Sequence, residues 1–146
     1  MDKLIKLYKK NEEIVNYFII GVCTTIVSLG VKYGLLFTIL DAKDAFQLQL
    51  SVIISWIIAV SFAYVTNRKI VFKSKDKNIL KEATKFFGAR VATLLMEAFV
   101  LWFFITFLKL NSDTYVIIWT MVAQVLVFIG NYIISKFFVF KSKEDK

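Results

Sequence analysis

Four apolar runs of about 20 residues each, near 17–40, 46–66, 86–108 and 114–134, constrain this chain more than any other feature. A helix of that length crosses the roughly 30 Å hydrocarbon core of a bilayer. The chain has 146 residues, 58% of them hydrophobic, and no proline to interrupt a span. A soluble domain of that size cannot hide so much apolar surface, so lipid must solvate part of it. The expected fold is an all-α integral membrane protein with four transmembrane helices. The first run exceeds the length of a signal-peptide core and follows Glu12 and Glu13, where a positive region would be needed. It reads as a retained span.

The runs come in pairs. Val-Phe-Lys-Ser-Lys occupies Val71 to Lys75 and recurs 68 residues later at Val139 to Lys143. Tyr64 then matches Tyr132, Arg68 matches Lys136 and Phe18 matches Phe86. The spacing predicts one membrane domain over 1–146, made of two repeated hairpins at about 17–75 and 86–143. With two spans each, the hairpins would run the same way through the membrane. Repeated hairpins of this kind build many transporters.

Charge sets the expected orientation. Lysine and arginine crowd the N-terminal tail, the middle connection (Arg68 to Lys85) and the C-terminal end. The other two connections hold Lys43 and Lys109 beside Asp41, Asp44 and Asp113. Both termini and the middle loop are therefore expected on the cytoplasmic side of the cell membrane. The net charge of +8 is interleaved with apolar runs instead of lining a groove. That argues against nucleic acid and for anionic membrane lipids as partners. Leu4, Leu7, Tyr8, Ile14 and Val15 recur at helical spacing among lysines, as do Ile79, Leu80, Ala83 and Phe87. Both stretches fit helices lying on the inner headgroup layer.

Polar residues inside the spans carry the functional information. A charge at mid-membrane costs roughly 2.5–3.5 kcal/mol on insertion scales. The first span nevertheless holds Lys32, the third Arg90 and Glu97, and the fourth Gln124 and Asn131. Thr25, Ser28 and Lys32 share one helix face, Arg90, Thr93 and Glu97 a second, and Thr120, Gln124, Asn131 and Ser135 a third. Three such stripes predict a shared polar interior. Lys32 and Glu97 lie roughly 22 Å and 16 Å from their cytoplasmic helix ends, so a salt bridge between them is geometrically open. Helix–helix glue and a substrate path both account for the stripes. Gly30 and Gly34 form a small-xxx-small pattern, a weak signal alone. Trp102, Tyr115 and Trp119 suit an outer aromatic belt. Arg68, Arg90 and Lys136 share one expected level at the inner membrane edge, where arginine can grip a phosphate bidentately or simply anchor the helix.

The chemistry of an enzyme is thin. There is no histidine, the single cysteine (Cys23) sits within an apolar run as a packing residue, and no loop is long enough to hold a nucleotide sugar. No catalytic residue, metal or cofactor is expected.

The runs Ala63-Tyr-Val-Thr-Asn-Arg-Lys-Ile-Val-Phe72 and Asn131-Tyr-Ile-Ile-Ser-Lys-Phe-Phe-Val-Phe140 resemble the paired N-F-x-x-N-R-x-x-V-F exits of the GtrA-like family. Phe18-Ile-Ile-Gly21 and Phe86-Phe-Gly-Ala-Arg90 resemble the starts of that family's first and third spans. The resemblance covers nearly the whole chain. It implies a four-span protein that moves polyprenyl-phosphate-linked sugars to the outer leaflet for decoration of envelope polymers such as teichoic acid. It places Asn67, Arg68, Arg90 and Asn131 at family motif positions. Ala63, Lys136 and Ser28 depart from the pattern, the last standing where many members carry an acid that Glu97 would replace. On this reading the phosphate docks on Arg68, Arg90 and Lys136. The sugar passes Asn67, Asn131, Glu97, Lys32, Gln124, Ser28 and Thr93. Membrane glycosyltransferases and further copies of the chain are the implied protein partners. Two alternatives remain: a non-transporting partner that positions a glycosyltransferase, and a proton-coupled exporter of small cations. The basic inner rim disfavours the latter.

Overall fold

The computed structural model describes residues 11–110 and 112–140. Lys141, Lys143, Leu4, Leu7 and Tyr8, and with them half of one expected headgroup helix and the end of the second basic exit, lie outside the described residues. Among the described residues every regular element is helical: α1 (Glu12–Thr38), α2 (Ala45–Thr66), α3 (Ile79–Leu101) and α4 (Asp113–Ile134). A π-helical segment prolongs three of them, at Asn67–Val71, Trp102–Phe107 and Ser135–Val139. With these extensions all four are long and apolar enough to cross a membrane. This is the expected solution in lipid, where a helix satisfies its backbone groups internally.

The chain divides between Ser74 and Lys75 into two compact units. Each is a helical hairpin. In hairpin one, α2 presents Ser51, Ser55, Ala59 and Ala63 at four-residue intervals, all buried. That spacing keeps them on one helix face, and their small side chains let α1 approach closely. The serines add no polar demand, because Ser51 Oγ donates to Leu48 O at 2.7 Å and Ser55 Oγ to Val52 O at 2.9 Å. Tyr17 closes the open end against Phe72, with ring centroids 6.2 Å apart. An exposed ion pair from Lys73 Nζ to Glu12 Oε1, 3.2 Å, lies beside it. The Gly30–Gly34 pattern makes no close contact: a methyl group at either position would meet no atom within 4 Å. The serine–alanine ladder does the packing instead.

Hairpin two closes the same way, Phe86 meeting Phe140 at 5.7 Å. This corrects the register of the repeat. Phe86 is fully buried and Tyr17 is 4% exposed, whereas Phe18 is 58% exposed. The counterpart of Phe86 is Tyr17, so α1 and α3 align at an offset of 69 while the exits keep 68. Buried Ile20 then falls on buried Ala89, and Thr24 on Thr93.

The stretch from Ile79 to Phe87 is not a separate surface helix. It forms the first turns of α3, capped by Asn78 Oδ1 accepting from Lys81 N at 3.1 Å. Its inward residues are Glu82 and Phe86, while Leu80 is exposed. No proline stands between it and the span, so the helix simply continues.

Candidate functional site

The polar residues of hairpin two form rungs between α3 and α4. Thr93 Oγ1 donates to Asn131 Oδ1 at 2.8 Å, the shortest of three acceptors in reach beside the carbonyls of Ala89 and Arg90. One turn deeper, Gln124 Nε2 donates to Glu97 Oε1. Two of the three expected stripes thus meet. Glu97 is half-buried and Gln124 exposed, so the second rung lies at the hairpin's surface. Gly130 sits within this frame, and a methyl group there would stand 3.5 Å from Thr93 Cγ2 and 3.6 Å from Met96 Cε.

Arg90 and Lys136 lie at one level of this hairpin, bracketed by the Phe86–Phe140 contact and the Thr93–Asn131 bond. The Arg90 guanidinium rests over the Phe86 ring, 4.6 Å from its centroid. Lys136 Nζ donates to Tyr132 Oη at 3.2 Å and lies 5.5 Å from the same ring centroid. It is the second residue of a π turn, where the helix widens.

Hairpin one repeats the exit with different contents. Its π turn begins at Asn67, followed by half-buried Arg68. Asn67 is 2% exposed. Its Nδ2 donates to Ala63 O at 2.7 Å, and its buried Oδ1 has no hydrogen-bond partner among the described residues. Phe72 N donates to Asn67 O at 2.9 Å and Ser74 N to Arg68 O at 2.9 Å, with Lys73 in the left-handed region at φ 47°. At the level of the Thr93–Asn131 rung, hairpin one has Thr24 and Ala63. Thr24 Oγ1 returns to its own helix, donating to Ile20 O at 2.7 Å. Thr25 does likewise with Gly21 O at 3.2 Å. Ser28 and Lys32 are half-buried, and Lys32 Nζ lies 5.8 Å from the Tyr33 ring centroid.

The register correction gives Ser28 a meaning that sequence reading alone missed: at an offset of 69 its counterpart is Glu97. Position for position, the acid is absent from α1 and present in α3. Two further features lacked any local signal. Trp119 does not sit with its N–H in a wet belt: it stacks on Phe104, and its Nε1 is buried without a partner among the described residues. Lys85, which resembles an ordinary anchoring lysine, borders a groove between α3 and the end of α4.

Residues 16–140 match the family described as GtrA/DPMS, transmembrane domain. The chain is 32% identical over 147 aligned positions to the cell wall teichoic acid glycosylation protein GtcA of Listeria monocytogenes, covering 99% of this chain and 95% of that protein. It is 31% identical to the protein of the same name from Listeria innocua, with the same coverage. It is also 32% identical to the uncharacterized membrane protein YwcD of Bacillus subtilis, covering 89% of this chain and 98% of that one. No solved structure matches. With its four apolar helices, the chain is a multi-pass membrane protein.

Proposed function

Since the chain belongs to the GtrA/DPMS transmembrane family, we propose that it takes part in glycosylation of a cell-wall polymer by moving a polyprenyl-phosphate-linked sugar across the cytoplasmic membrane, without catalysing a reaction itself. The Listeria relatives named for teichoic acid glycosylation support the first part of this reading. The observation that carries the second is the order of groups along hairpin two. Arg90 and Lys136 stand at one level near the basic exit, and the Thr93–Asn131 and Glu97–Gln124 rungs follow deeper in the span. Cations at the headgroup level suit a phosphate. Hydroxyl, amide and carboxylate groups beyond them suit sugar hydroxyls, which exchange for the rung bonds as they pass. Arg68 holds the corresponding exit position in hairpin one, with Asn67 beside it. Both termini and the basic connection between the hairpins face the cytoplasm in this scheme. Further copies of the chain would complete the enclosure of a glycosyl headgroup.

The test is replacement of Arg90 or Arg68 by lysine, which keeps the positive charge but loses the bidentate fork. Losing one charge-assisted bond should weaken binding of a polyprenyl-phosphate sugar by roughly tenfold or more. Cell-wall glycosylation should fall while expression and membrane insertion persist. Unchanged binding and unchanged decoration would return both arginines to an anchoring role.

One observation favours a second reading, a scaffold that positions a membrane glycosyltransferase. The rung residues already satisfy one another, as helix glue would. Glu97→Gln separates the two: it preserves a hydrogen bond to Gln124 but removes the charge. A scaffold keeps polymer decoration, whereas a path that uses the carboxylate loses it.

A further inference from the structure

A groove of about 510 Å³ opens on hairpin two, lined by Lys85, Gly88, Ala89, Ala92, Ile134, Phe138 and Val139. Its volume falls in the range of small-molecule sites. The lining is ordered by polarity. Lys85 stands at the end near the Phe86–Phe140 closure, and everything deeper along α3 and α4 is apolar. Positions 85, 88, 89 and 92 share one face of α3, so the lysine and the glycine–alanine floor form a continuous track. Lys85 is exposed.

A lysine at one end of an open, apolar groove matches an amphiphile with an anionic head and a hydrocarbon tail. We propose that the groove seats the first isoprene units of a polyprenyl-phosphate lipid, with Lys85 meeting its phosphate ahead of Arg90 and Lys136. The inference rests on the proposed function and adds to it a position for the carrier chain. Charge complementarity selects an anionic head. Gly88 and the two alanines leave a floor wide enough for a methyl-branched chain. A methyl group at Gly88 would meet no atom within 4 Å, so the space above it is open. That openness makes a clean probe: in Gly88→Leu the new side chain fills the groove without displacing backbone.

The experiment uses the full chain in lipid nanodiscs and a prenyl phosphate carrying a diazirine in its second isoprene unit. Labelled residues are mapped by mass spectrometry. Saturable labelling should fall within 88–92 and 134–139 and should disappear in Gly88→Leu. In Lys85→Gln, a surface change that leaves packing intact, affinity should drop about tenfold, as expected for one lost charge-assisted bond. Excess phosphatidylglycerol should not compete. Labelling unaffected by Gly88→Leu, or competed equally by phosphatidylglycerol, overturns the assignment. Saturable labelling near Arg68 instead would also overturn it while leaving the proposed function standing. If no saturable labelling occurs anywhere, both readings fail.

Discussion

The two hairpins share a template and hold together by different means. Both close with an aromatic pair, Tyr17–Phe72 in one and Phe86–Phe140 in the other, and both end their second helix in a π turn at equivalent residues. Between those landmarks they diverge. Hairpin one buries a ladder of Ser51, Ser55, Ala59 and Ala63, and its threonine hydroxyls turn back on their own helix. Hairpin two buries fewer residues of its second helix, Ala123 being the one within α4 proper, and links its helices through side-chain hydrogen bonds. Close packing has no group to spare for a ligand, whereas polar rungs can open and re-form around one. The difference teaches that duplication supplied the frame and that the polar work was concentrated in one copy.

The largest expected effect tests the packed copy. Ala59→Leu forces two added branches into a fully occupied helix contact and should destabilise hairpin one by about 1–3 kcal/mol. Thermal unfolding in detergent would report it. Gly34→Leu, on a face where a methyl group meets no atom within 4 Å, should leave the midpoint nearly unchanged. Equal sensitivity at both positions would break the claim that α2's serine–alanine ladder, and not the glycine pair, carries the packing.

Next comes the polar copy. Thr93→Val removes a hydroxyl and leaves Asn131 Oδ1 unpaired, at a cost of about 0.6–1.7 kcal/mol for an interhelical bond in a membrane protein. The corresponding Thr24→Val loses a bond within its own helix and should cost no more than a few tenths of a kcal/mol. Paired thermal melts of the two variants give the contrast directly. If Thr24→Val proves the costlier change, the assignment of polar coupling to hairpin two is wrong.

These comparisons also mark where the sequence was legible. Four spans followed from long apolar runs, because lipid enforces helices of a set length regardless of detailed packing. The basic exits were equally clear, since the echo there is nearly letter for letter. The register of α1 was not. Tyr17 and Phe18 are adjacent aromatics, and only the burial of one ring against Phe72 decides which faces inward. Once Tyr17 is chosen, Ser28 moves onto Glu97 and the asymmetry of the acid becomes visible. The glycine pair was a weak signal for the same reason: small residues permit a contact without specifying that a helix fills it. The π turns and the Lys85 groove depend on how two helices meet, which no single-helix periodicity encodes.

A smaller effect concerns the turn opposite the basic exits. Asp44 and Ser112 are repeat counterparts, each just before its hairpin's second helix. Asp44 accepts from Phe46 N at 2.8 Å and Gln47 N at 3.0 Å, whereas Ser112 makes no side-chain cap bond. The amide of Gln47, with that of Phe46 and the Gln47 side chain, holds the Asp44 carboxyl below its ordinary value of 3.8, against an opposing desolvation contribution. A depressed carboxylate stabilises the folded form fully above its ordinary value, and that stabilisation fades as pH falls through the depressed one. Acidification from pH 6 toward pH 3 should therefore loosen the first turn of α2. The first turn of α4 lacks this cap, so Ser112 contributes no such response. The measurement is the hydrogen-exchange protection of Phe46 and Gln47 over that range, each rate divided by the intrinsic rate at the same pH. Asp44→Asn retains a capping oxygen but cannot titrate, so its protection should be flat where that of the native chain falls. Because Asp44 is exposed at a turn, the effect is confined to local opening and should leave the global melting temperature in place. Loss of protection that persists in Asp44→Asn would assign the acid response to another group and remove the last asymmetry between the two turns.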